Sequence, residues 1–267
     1  MRVVSLGDLA LDVVVRMRGP LARGADTAAD VTLSAGGQGA NVAAWAAALG
    51  AEARWLGKRA ADGAGRLAAD ELERRGVELV GPVAEAGNGV VVSLVEGGGE
   101  RSMFPARGVA TELRPDELEP AWLACDHLHV SGYALVADPV AAAAARAVEF
   151  ARAHGARVSV DLSSWSAIRD RGAAAFHDLV ASLAPDVVFA NEDEQEVFGP
   201  LEGSVWILKR GAQGCSFDGE ERAALPVDAV VDTTGAGDAL AAGWIVGGAD
   251  LALAAAARCV QRAGAMP

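Results

Sequence analysis

"HLHVSGYALVADPVAAAAARAVEFARAHGARVSVDL", residues 127–162, sets two short β-branched runs on either side of a long alanine-rich segment. "HLHVSG" and "RVSVDL" have the length and apolar character of buried strands, and residues 139–154 between them predict a helix. Strand, helix, strand is a βαβ unit, which lays its two strands parallel in one sheet. The alternation continues with a helix over 172–184, strands at "DVVFAN" (186–191) and "SVWILKRG" (204–211), and helices over 236–247 and 250–262. Upstream, "RVVSLGDL" (2–9) and "ARWLG" (53–57) read as strands, with helices over 39–49 and 63–75 that stop at Gly50 and Gly76. The whole is an α/β chain with a mainly parallel sheet and helices on both faces. Residues 87–104, "GNGVVVSLVEGGGERSMF", predict a hairpin turning at three glycines. With "DVVVRM" (12–17) and "DVTLS" (30–34) it would make a small separate sheet from segments 12–34 and 88–106.

The 267 residues suit one large domain, and 52% hydrophobic with 22% charged residues describes a folded α/β protein rather than a disordered chain. A net charge of -13 argues against nucleic acid as a partner, because displacing counterions from phosphates takes a basic surface. Any anionic ligand must be met locally. Cys125, Cys215 and Cys259 are widely spaced and fit core thiols in a reducing compartment. Asp8 and Asp12 interrupt the first apolar run, and Arg146 and Glu149 the alanine-rich one, so neither reads as a signal peptide or a membrane span. A cytoplasmic protein is expected.

In such sheets ligands bind beyond the carboxyl ends of the strands, and here those ends carry Asp161, Asn191 with Glu194, and Lys209 to Gly211. "GGQGANVA" (36–43) puts glycines before a helix and Asn41 inside it, which fits either exposed amides for a ligand or an ordinary helix entry. It is neither a Walker loop nor a dinucleotide fingerprint, because no Lys-Ser/Thr follows and Val42 stands in the third glycine's place. Asp12, just after the first strand, is either a ligand for hydroxyls or a solvated turn carboxylate. "NEDE" (191–194) is either a helix cap or an oxygen set for a hard cation such as Mg2+. "KRGAQG" (209–214) either cradles phosphate or turns a hairpin. The sharpest is "DTTGAGD" (232–238): small residues expose successive N–H groups at a helix start, and Asp238 sits beside them. That is an anion hole with an adjoining carboxylate. The helix terminus would keep Asp238 ionised and able to take a proton from an attacking hydroxyl; the plainer alternative is a helix cap. His127 and His129 share a strand face but lack further metal ligands, and Ser131, Ser163 and Ser164 have no His and Asp partners for a serine hydrolase.

With these motifs in this order, the chain resembles the ribokinase-like (PfkB) family of sugar and nucleoside kinases over nearly its whole length. "GGQGANVAAWAAALGA" (36–51) and "DTTGAGDAL" (232–240) resemble the family's two signatures. The resemblance implies a single Rossmann-like kinase domain over 1–267, with a small β lid over the sugar. It implies transfer of the ATP γ-phosphoryl group to a hydroxymethyl oxygen. By position, Asp238 would be the base and Gly235, Ala236 and Gly237 the anion hole. Asp12, Gly37, Gln38 and Asn41 would contact the sugar, and Asn191, Lys209, Gly211 and Gly214 the ATP. Glu194 would orient Mg2+ through water, and Asp232 and Thr234 would hold a monovalent cation such as K+. A homodimer through the lid is a further implication, with no nucleic acid or membrane partner. Gln38 replaces a lysine and Ala10 an asparagine usual in ribokinases, which points away from ribose itself. "DLS" (161–163) alters a family loop, and the short segment from Glu196 to Trp206 and the end at "AGAMP" predict a trimmed adenine side. A nucleoside kinase, a sugar-binding relative without turnover and a dinucleotide-dependent oxidoreductase are the alternatives weighed; the last lacks a complete glycine fingerprint.

Overall fold

Valines and leucines fill both faces of the central strands, and that double burial is what a sheet sandwiched between helix layers requires. The computed structural model describes residues 1–96 and 101–267. The strands in chain order are β1 (Arg2–Leu6), β2 (Ala10–Met17), β3 (Ala29–Gly36), β4 (Glu52–Leu56), β5 (Arg59–Ala60), β6 (Glu78–Val80), β7 (Val83–Ala84) and β8 (Gly89–Val95). They continue with β9 (Arg101–Ala106), β10 (His127–Ser131), β11 (Arg157–Asp161), β12 (Val187–Asn191), β13 (Val205–Lys209), β14 (Cys215–Phe217) and β15 (Glu220–Arg222). The helices are α1 (Gln38–Ala48), α2 (Gly63–Arg74), α3 (Val140–Ala153), α4 (Trp165–Arg171), α5 (Ala173–Leu183), α6 (Glu192–Phe198) and α7 (Ala236–Val260).

Nine strands form the main sheet in the order β15-β14-β13-β12-β11-β10-β1-β4-β6. Every pairing from β6 to β13 is parallel, and β14 and β15 add an antiparallel edge. Val4, Val160 and Val188 bury against α3, α5 and α6 on one face. Val3, Val187 and Phe189 bury against α1, α2 and α7 on the other. The side of the sheet on which the crossovers run therefore changes between β1 and β10.

The second sheet has the order β3-β2-β8-β9 and contains the expected strands, with β8 and β9 antiparallel as the hairpin reading requires. The glycine turn assigned to 97–99 lies outside the described residues. Asp12 lies within β2, opposite Ser34 of β3, and not in a turn after the first strand; the apolar alternation of "LDVVV" carries straight through it. The antiparallel edge strands, α4 and the 3-10 turns between Gly108 and Leu123 went unread, being too short to show a period.

The helices expected over 236–247 and 250–262 are the two halves of α7, which leaves helical geometry at Gly247 and Gly248. The halves fold back on each other so closely that a Cβ on Gly243 would lie 2.6 Å from the carbonyl oxygen of Leu251. By length and composition α7 could cross a membrane, but half of its most apolar window is buried inside the protein, where it packs on α1. All three cysteines are buried and free.

Candidate active site

Because crossovers change faces between β1 and β10, the loops leaving those strands diverge and open a crevice at their carboxyl ends. Helix α1 enters that crevice end-on. A Cβ on Gly39 would lie 2.6 Å from the Cα of Gly7, so only two glycines let the helix meet the strand end this closely. Gly37 precedes the helix with φ 97°, a conformation that favours glycine. The Gln38 carboxamide oxygen accepts hydrogen bonds from the hydroxyls of Ser131, at the end of β10, and Ser163, just past β11. Those two serines, set aside as nucleophiles, thus orient an amide in the crevice.

One turn further on, Asn41 is buried and its Nδ2 donates to Asp238 Oδ2 at 2.7 Å. Asp238 is the third residue of α7, after Gly235 in a left-handed conformation with φ 78°. Its carboxylate accepts from Asn41 on another helix, a contact that the plain cap reading does not call for. Its ionisation differs from expectation. Burial, with Asp161 and Asp8 nearby, pushes its pKa up to about 7, outweighing the Asn41 hydrogen bond and the Lys209 charge. The helix terminus does not keep it in the usual carboxylate range. Of the three small residues before it, Ala236 already donates its N–H to Thr233 O at 3.3 Å.

Lys209, at the end of β13, reaches Asp161, at the end of β11, with Nζ 2.7 Å from Oδ2. Asp161 is fully buried, and its other oxygen accepts from the Ser163 N–H at 2.9 Å. Burial works against the Lys209 charge, but Asp161 and Glu194 outweigh it and hold the ammonium above its ordinary range. A Cβ on Gly237 would lie 3.5 Å from Lys209 Nζ, so this cation stands against the first turn of α7.

A cavity of about 650 Å3 opens beside it, with Asn191, Lys209, Gly211, Gly214 and Gly237 among its lining. Apolar side chains of α7 and of residues 224–230 supply most of the remaining wall. Its size and character fit a nucleotide. "KRGAQG" does turn a hairpin, from β13 to β14, while its two glycines face the cavity. "NEDE" caps α6: Asn191 Oδ1 accepts the Glu194 N–H at 2.8 Å, and Glu194 Oε2 accepts the Asn191 N–H at 2.9 Å. Glu194 Oε1 accepts from Asn191 Nδ2 at 3.1 Å, and burial raises the Glu194 pKa. Among the described residues no group of three or more His, Cys, Asp and Glu could hold a metal ion. Each Glu194 oxygen accepts one bond from Asn191 and keeps a second lone pair that a water could fill.

Asp12 approaches the crevice from the second sheet, where burial, then Asp8 and Glu71, push its pKa up to about 7. Arg107, just past β9, reaches Asp8 at 3.2 Å and stacks 3.7 Å over the Tyr133 ring. Neither Asp8 nor Arg107 was singled out from the sequence. Asp8 follows the Gly that ends a strand, which was a usable signal; Arg107 is joined to it only by the pairing of the second sheet. Asp232 and Thr234 lie together, with the Thr234 N–H and hydroxyl donating to Asp232 Oδ1 at 2.8 and 2.7 Å. His127 and His129 both meet Ser159 Oγ, at 2.8 and 2.9 Å, deep in the sheet and away from any metal ligand set among the described residues. Burial lowers their pKa values to about 3 and 4, so both are neutral.

A family model described as pfkB family carbohydrate kinase matches residues 1–266. An ATP-dependent ribose-1-phosphate kinase of Halopiger xanaduensis is 35% identical, over 91% of this chain and 83% of its own. A fructokinase-1 of Oryza sativa subsp. japonica is 31% identical, over 89% and 80%. Among solved structures, adenosine kinase from Sinorhizobium meliloti superposes with a TM-score of 0.88 at 24% identity, over 99% of this chain and 95% of the other.

Proposed function

The chain belongs to the pfkB family of carbohydrate kinases, and from that premise we propose that it transfers the γ-phosphoryl group of ATP to a hydroxymethyl group of a small sugar. The observation that carries the reading is the position of Asp238. The residue before it, Gly237, lines the nucleotide-sized cavity, while its carboxylate is held by Asn41 of the helix that begins at Gln38. Base, donor side and acceptor side meet at this one point.

In this mechanism Asp238 Oδ1 or Oδ2 takes the proton from the sugar hydroxyl as its oxygen attacks the γ-phosphorus. Asn41 fixes the carboxylate, and the amides at the start of α7 with the Lys209 ammonium receive the charge that develops on the transferring group. Gly211, Gly214 and Asn191 border the nucleotide. Mg2+, oriented by Glu194 through water, would neutralise phosphate charge. Asp232 and Thr234 would hold K+ close to the anion hole. Asp12, Asn41 and the amide of Gln38, beside Gly37, contact the acceptor. Carboxylates and amides of this kind accept from and donate to sugar hydroxyls, and the Arg107 charge beside them is balanced by Asp8. This supports a hydroxyl-rich, uncharged acceptor. The second sheet acts as the lid.

The test is ATP consumption with a panel of ribose, ribose 1-phosphate, fructose and adenosine, each with and without K+. Turnover with an uncharged sugar, faster with K+, is expected. Turnover with adenosine alone would make the chain a nucleoside kinase, and none with any acceptor would leave a sugar-binding relative.

A further inference from the structure

We infer that Trp45 is a positioning residue for the anion hole, acting through the carbonyl of Ala265 near the end of the chain. The inference rests on the kinase reading of the α7 terminus. Gln38, Asn41 and Trp45 are spaced three and four residues apart and so share one face of α1. Gln38 meets Ser131 and Ser163, Asn41 meets Asp238, and the fully buried Trp45 donates its indole N–H to Ala265 O at 2.8 Å.

Ala265 in turn abuts the loop that presents the small residues. A Cβ on Gly235 would lie 2.6 Å from the Cα, Cβ and carbonyl oxygen of Ala265. The same two segments are stitched at further points. Val231 N–H donates to Val260 O at 2.7 Å, Gly264 N–H to Asp232 Oδ2 at 3.2 Å, and Cys259 Sγ lies 3.4 Å from Thr234 O. Trp45 is the tie between this double strand of chain and the helix that holds the base. Through it, α1 fixes the spacing between the carboxylate of Asp238 and the amides beside it. A kinase needs that spacing only when the phosphoryl group is in flight, so loss of the tie should slow the chemical step and leave binding alone.

The variant Trp45→Phe keeps an aromatic core and removes the donor. Expected is a fall in kcat of about tenfold, the rate equivalent of one buried hydrogen bond, with KM for sugar and ATP within twofold of wild type. Trp45→His, which packs less well but keeps an N–H, should be faster than Trp45→Phe. Wild-type kcat in Trp45→Phe overturns the inference. So does a series in which kcat follows thermal stability, with His slower than Phe. If Trp45→Phe fails to fold, an indole isostere with sulfur in place of the N–H, placed at position 45 alone, is read by the same criteria. Wild-type protein without kinase activity would sink the kinase reading itself, which separates the two failures.

Discussion

Lys209 and Asp161 form an ion pair beside the nucleotide-sized cavity. The Asp161 side chain is 1% exposed and that of Lys209 17%. Removing one partner strands the other charge in a poor solvent. Lys209→Met should therefore destabilise the protein by about 3 kcal/mol, and adding Asp161→Asn should recover part of that loss. Urea unfolding of the two variants measures both; equal midpoints for Lys209→Met and wild type would show the pair to be dispensable. The sequence named Lys209 as a nucleotide contact. Asp161 was placed at a strand end as well, but its pairing with Lys209 was not legible, because two strand ends separated by 48 residues become neighbours only through the β11-β12-β13 pairing. Asp238 was legible for a different reason: its surroundings are local, three small residues and a helix start. What local sequence could not supply was desolvation, which lifts the Asp238 pKa out of the usual carboxylate range to about 7.

At the scale of elements, α1 and β1 meet through paired glycines, and the site depends on that closeness. Gly39→Ala would place a methyl 2.6 Å from backbone on the opposite side, where no side chain can move aside. Such overpacking costs about 1–3 kcal/mol, and the shift of α1 would carry Gln38 and Asn41 away from the acceptor. A lowered melting temperature and a raised sugar KM are expected; an unchanged KM would separate α1 placement from acceptor binding. The elements read correctly were those with a strong period or a sharp stop, such as α3 with its alanines and α2 ending at Gly76. The β14 and β15 hairpin was hidden because three-residue strands carry no alternation to detect.

For the molecule as a whole, the second sheet has two unlike faces. Asp12 and its neighbours turn toward the crevice. On the other face the row Leu33, Val13, Val92 and Phe104 runs across all four strands, with Leu33 56% and Phe104 55% exposed. An apolar face of that kind on a charged protein marks a contact surface. We propose that it joins two copies through their lids. Sedimentation should give a dimer for wild type and a monomer for Leu33→Asp with Phe104→Asp, while a monomeric wild type would contradict the dimer. The parallel sheet and its covering layers were legible from alternation alone. The crevice at the β1/β10 reversal was not, since strand order is written in long-range pairing.

Asp238 is proposed as the base on which the chemistry turns. Its pKa of about 7, set chiefly by burial, makes that claim measurable as a pH profile. The base must be ionised, so kcat/KM for the preferred sugar should rise about tenfold per pH unit below 7 and level off above it. Asp238→Asn should remove nearly all turnover at every pH. The raised pKa of Asp238 also costs the folded protein stability as pH rises from 3.8 toward 7, so this variant should melt a few degrees above wild type at pH 8 and lose that advantage in acid. The deciding measurement is sugar-dependent ADP release by wild type and Asp238→Asn between pH 5 and pH 9. A profile that breaks near 7 in wild type and vanishes in the variant is the predicted result; sugar-dependent turnover that survives in Asp238→Asn with the same profile would contradict it.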